Sequence, residues 1–158
     1  MRSARLRRLV GILLATGVVA ASAACGDDGG GRLSRAEYVR QADEICARYD
    51  AELGEIEQAL ERAETPQAAA NAIERGIPIV EGGIADLREL EPPEELEEDV
   101  DRWLELNDEN VENLEELRDA AEAGDTQRAQ EIATRGSRTE EESDEVAREI
   151  GLEDCAAD

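Results

Sequence analysis

Histidine, lysine and phenylalanine are absent from the 158 residues, and the absences exclude whole classes of function. Without histidine there is no Ser-His-Asp or Cys-His nucleophile, and no histidine-bearing zinc or di-iron carboxylate centre. Aromatic side chains are limited to Tyr38, Tyr49 and Trp103, too few for a platform on which bases or sugars stack. With no lysine, all 17 basic residues are arginine, a mark of GC-rich coding rather than of a mechanism. They face 41 acids, for a net charge of −24, so nucleic acid and anionic lipid surfaces are repelled as direct partners. Strand-like alternation is also missing, which leaves an all-helical chain.

What is present begins with an export signal. "MRSARLRRL" carries four arginines and no acid, and "LVGILLATGVVAASAA" is then free of charge. A basic start, a short apolar run and small residues at its end predict a signal over residues 1–24, of the Sec type. Arg7 and Arg8 resemble a twin-arginine signal, but the rest of that motif is missing. The apolar run is short and rich in Ala and Gly for a membrane span.

In "SAACGDDGGG" Cys25 follows small residues and precedes a polar, glycine-rich stretch. This resembles the lipobox of bacterial lipoproteins, with Ser22 where Leu or Val is usual. The reading is a lipidated Cys25, a flexible tether over 25–33 and a domain over 34–158. Such a protein is held at the cell membrane and faces the extracytoplasmic side. Two or more acyl chains give a lasting anchor where one is marginal. The alternatives are ordinary signal-peptidase cleavage, giving a secreted protein with a spare thiol, or an uncleaved anchor. Removal of residues 1–24 takes four positive charges and leaves −28.

With Cys25 assigned to lipid, Cys46 and Cys155 remain. Outside the cytoplasm an even remainder reads as one disulfide, the alternative being two buried thiols. The first helix opens with a capping box, Ser34 with Glu37, and buries Tyr38, Ala42, Ile45, Tyr49, Leu53, Ile56 and Leu60. Thr65 and Pro66 start the second, whose stripe is Ile73, Ile77, Val80, Ile84 and Leu87. Pro78 within it predicts a kink or a split. Pro93 starts the third, with Leu96, Val100, Leu104, Asn107, Val111, Leu114 and Leu117 inward and Trp103 flanking. Gly124 and Asp125 separate it from the fourth, which turns Ala129, Ile132, Gly136, Thr139, Ser143, Val146 and Ile150 inward and ends near Gly151.

Four helices with short connections predict an antiparallel up-down-up-down four-helix bundle. In that topology the chain end lies beside the first helix. A left-handed Gly151 lets "LEDC" fold back and bring Cys155 to Cys46.

The segments "LSRAEYVRQADEICARYDAEL", "PPEELEEDVDRWLEL", "DAAEAGD" and "GLEDC" resemble uncharacterised small exported helical proteins and lipoproteins of actinobacteria. The resemblance spans nearly all of the chain after the signal. It implies an envelope location, a helical bundle and a cysteine pair at Cys46 and Cys155, and brings no activity or binding residues.

No constellation of residues carries catalysis, and neither a cofactor nor a metal is expected. The clusters "EELEEDVD", "ELNDENVENLEEL" and "TEEESDE" fall on polar helix faces without a cation-gathering loop, which reads as a solvated acidic surface. One internal anomaly stands out. Asn107 interrupts an apolar stripe, and Gly136, Thr139 and Ser143 take positions where large residues belong. Reflecting positions through the three connections brings Tyr49, Pro78, Asn107, Thr139 and Ser143 to one level. That layer is either a small polar pocket or close packing in which the polar groups satisfy one another. The expected role is a non-enzymatic, lipid-anchored module that binds a basic envelope protein or serves structure. A small-ligand or cation carrier built on the polar layer is the alternative.

Overall fold

In the computed structural model, which describes residues 31–156, four helices make up the domain: α1 (Arg35–Glu61), α2 (Pro66–Arg88), α3 (Glu97–Glu122) and α4 (Thr126–Ile150). The expected export signal, Cys25 and most of the expected tether lie outside the described residues. The last tether positions do not behave as a tether. Leu33 N–H donates to the Glu91 carbonyl at 2.9 Å, and Arg32 pairs with Glu97 at 2.8 Å. The Leu33 backbone and the Arg32 side chain are thus held where α2 passes into α3, although both fall within the 25–33 stretch expected as a tether.

The helix starts follow from local chemistry. The Ser34, Thr65 and Asp125 side chains accept from the N–H groups of Glu37, Ala68 and Arg128, satisfying donors that each first turn leaves open. Gly124 and Gly151 adopt φ of 66° and 98°, the left-handed region that stops a helix. After Gly151, Leu152 N–H reaches the Ala147 carbonyl at 2.9 Å, which closes α4 and turns the chain back. Pro92 and Pro93 keep the α2–α3 connection extended until a 3-10 turn, Glu94–Leu96, leads into α3.

The expected split of α2 does not occur: the helix is continuous through Pro78. Pro78 is exposed, so the Glu74 carbonyl it leaves unpaired lies on the solvent side. Ile73 and Ile77 before it, and Ile84 and Leu87 after it, are buried and hold both halves on the core.

Successive helices run antiparallel, and side chains mark the register of each pair. Tyr49 packs on Gly83 and Ile56 on Gly76 between α1 and α2; a Cβ on either glycine would come within 3.2 Å of them. Arg118 meets Glu74 and Arg88 meets Asp108 between α2 and α3. Arg102 meets Glu142 and Arg128 meets Glu116 between α3 and α4. These three pairs pack extensively, whereas α1 and α4 approach each other chiefly at one end.

That end holds a continuous apolar cluster that includes Tyr38, Ala42, Leu96, Trp103, Ile150 and Leu152. Cys46 and Cys155 form the disulfide there, with their Cα atoms 5.2 Å apart. Asp43 accepts from the N–H groups of Glu153 and Asp154, and Arg35 donates to the Ile150 carbonyl at 2.9 Å. Trp103 is 2 % exposed, a core residue rather than a flanking one, and Leu60 at the far end of α1 is exposed.

Candidate functional site

Beyond the disulfide, α1 and α4 leave a cleft of about 690 Å³ between them, floored by α3 and Val80 of α2. Its α1 wall presents Asp50, Leu53 and Glu57, and its α4 wall Ile132, Ala133, Gly136, Ser137, Glu140 and Asp144. Asn107, Asn110 and Asn113 run along the floor at every third position of α3, with Leu114 and Leu117 beside them. The residues of the opening follow from charge. Arg48, Arg88, Arg102, Arg118 and Arg128 tie each helix to its neighbour in sequence. Both facing walls carry carboxylates among apolar and small residues, Asp50 and Glu57 on α1 and Glu140 and Asp144 on α4, and like charges disfavour close approach.

The expected polar layer is divided by this geometry. Asn107 and Ser143 do meet: Asn107 Nδ2 donates to Ser143 Oγ at 3.1 Å and to the Trp103 carbonyl at 2.8 Å, and both residues line the cleft. Thr139 is buried on the other side of α4, where its hydroxyl donates to Glu109 at 3.2 Å. Tyr49 lies on Gly82 and Gly83 and donates to Asp86 at 3.0 Å. Pro78 is outside altogether. The reflection through the α2–α3 connection fails because the extended prolines and the 3-10 turn move its centre. The Arg88–Asp108 and Glu74–Arg118 pairs are centred on residues 98 and 96, not on residues 91–93, the Glu-Pro-Pro stretch between the second and third apolar stripes.

A residue outside the expected layer is the most unusual polar group of the cleft. Asn113 is 6 % exposed; its Oδ1 accepts from Arg135 Nε at 2.6 Å, and its buried Nδ2 has no partner. A buried donor left unpaired costs about 1–3 kcal/mol. Gly136 lies over it, with room for a Cβ 3.7 Å from the Asn113 Cβ. The signal in the sequence was the spacing of three asparagines at 107, 110 and 113, hidden among acids.

Glu140 is held above the ordinary carboxylate value, first by desolvation and then by the charges of Asp144 and Glu141. The cleft therefore favours positive charge. Among the described residues no group of three or more His, Cys, Asp or Glu side chains could hold a metal ion, and no helix is long and apolar enough to cross a membrane. A second depression, of about 640 Å³, lies at the α2–α3 connection. Its Arg32 and Arg88 are already paired with Glu97 and Asp108, which leaves it less to offer a ligand.

No family model, no curated protein and no solved structure matches the chain.

Proposed function

We propose that this chain is a lipid-anchored, extracytoplasmic, non-enzymatic module that binds a positively charged protein of the cell envelope. The observation that carries the reading is the α1–α4 cleft, open between two walls that are both acidic. The lipobox-like "SAAC" supports the anchor, and the cysteine pair suits an oxidising compartment. A cleft of this size also supports a second reading, a carrier of a small molecule, since ligand cavities commonly measure about 300–1,000 Å³.

Crosslinking in native membranes, repeated over a salt series, tests the first reading. Capture of a basic envelope protein that weakens steeply with salt supports it. Salt-independent retention of a small molecule, with no protein captured, favours the carrier. For the anchor, wild-type protein is expected in the detergent phase and Cys25→Ser in the aqueous phase. Wild-type protein already aqueous and unmodified at its N-terminus contradicts the lipid.

A further inference from the structure

The acidic walls alone do not define a ligand; the floor does. Because a guanidinium only donates, the Asn113 atom that faces Arg135 must be the oxygen, so the unpartnered atom is the amide nitrogen with two hydrogens to give. This nitrogen is 4.0 Å from where a Cβ on Gly136 would sit, on the wall position that carries no side chain. The cleft thus offers a donor in its depth and carboxylates at its rim. A ligand that answers both has an acceptor oxygen inside and positive charge outside.

The dimensions select among such ligands. From Asn107 to Leu117 the floor rises about 15 Å along α3, the length of roughly four or five extended residues. On α1, Asp50 and Glu57 are about 10 Å apart, and Glu140 stands on the opposite wall. Asp50, Glu57 and Glu140 take part in no ion pair among the described residues. An extended chain sends successive side chains to opposite sides, which is the arrangement that two facing acidic walls require.

We infer that the cleft binds a short extended peptide segment in which arginine or lysine adjoins apolar residues. A backbone carbonyl of the segment accepts from Asn113 Nδ2, its basic side chains meet Asp50, Glu57 and Glu140, and its apolar ones rest on Leu53, Leu114 and Leu117. This rests on the reading of a cationic protein partner and names where and how it is held. Desolvation, then the charges of Asp144 and Glu141, raise the Glu140 carboxyl above its ordinary value, and an arriving cation offsets that by favouring its charged form.

The test is titration of the oxidised full-length protein in detergent with the capped tetrapeptide Arg-Arg-Leu-Leu, whose adjacent arginines point to opposite walls when it is extended, followed by amide NMR. Expected are shifts concentrated on the Asn113 side chain and the Gly136 amide. Affinity should fall at least tenfold in Gly136→Leu and in Ala133→Trp, two changes that fill the cleft; the second is at an exposed position and guards against a folding defect. The triple change Asp50→Asn, Glu57→Gln, Glu140→Gln should also lower it tenfold, and neutralising Glu94, Glu95 and Glu98 should not. Equal loss in both triples, or cleft-filling without effect, overturns the site, with general binding of basic peptides still intact. Spermidine binding as tightly at the same residues overturns the peptide in favour of a small polycation. If the peptide fails to bind even at low salt, the cationic partner falls with the site.

Discussion

The half of the domain around Cys46 and Cys155 and the half around Asn113 and Gly136 are built from the same four helices with very different contents. The first gathers Tyr38, Trp103, Leu104, Ile150 and Leu152 into one cluster, ties α1 to α4 by a disulfide and caps the end of α4 with Arg35. The second buries fewer large side chains, Ile56, Ile73, Ile77 and Ile132, beside the small Ala70, Ala72 and Ala120, and has a polar cleft floor with an unpaired amide nitrogen. A thin chain of this kind does not spread its apolar surface evenly. It concentrates its large apolar side chains where the helices close and leaves a cleft in the other half.

The largest effect should come from the covalent tie. Reduction of the disulfide frees a loop with a sequence separation of 109, worth about 4–5 kcal/mol in the chain-entropy model. That is comparable with the entire stability of an ordinary small domain. Chemical denaturation with and without reductant measures it, and a change below about 1 kcal/mol would mean the closed half holds without its bridge.

Trp103→Ala should cost about 3–5 kcal/mol, since a fully packed ring leaves a cavity. Leu117→Ala, half-buried at the cleft, should cost clearly less. Equal losses in urea unfolding would erase the contrast between the halves.

Alkali should open the closed half. Burial pushes the Tyr38 hydroxyl up to about 12, with Asp101 adding a little. A pKa raised in the folded state contributes stability that is complete below pH 10 and lost as pH climbs through about 12, on the order of 2–3 kcal/mol. Tyr38→Phe should remove that part of the alkaline loss and, by deleting an unpartnered buried hydroxyl, leave stability at pH 7 unchanged or higher. A Tyr38→Phe protein that loses stability between pH 10 and 12 as steeply as wild type would refute the assignment.

The smallest effect belongs to the cleft. Asn113→Leu removes the unpaired amide but also an acceptor of Arg135, and should raise stability by about 1 kcal/mol. A loss above about 2 kcal/mol in thermal unfolding would show Asn113 to be a structural pillar.

How much of this could be read from residues depended on range. Ser34, Thr65, Asp125, Gly124 and Gly151 act within a turn or two of themselves, and each cap stands where its residue type placed it. The disulfide was legible because an even number of antiparallel helices returns Cys155 to Cys46. Levels between distant helices were not legible. Two prolines and a 3-10 turn shift α3 along α2 enough to part Asn107 from the level of Pro78, and no periodicity records that shift. Nor do apolar stripes state how far apart two helices sit. The acids facing each other across α1 and α4 carry that information, and only once the register is known do they read as opposing walls.

Native-state amide hydrogen exchange on the oxidised protein tests the two-part account most directly. Amides of residues 38–46, 100–104 and 146–150 should exchange only through global unfolding. Those of 53–60, 110–117 and 130–140 should exchange through local opening at distinctly lower free energy. Uniform protection along all four helices would contradict it.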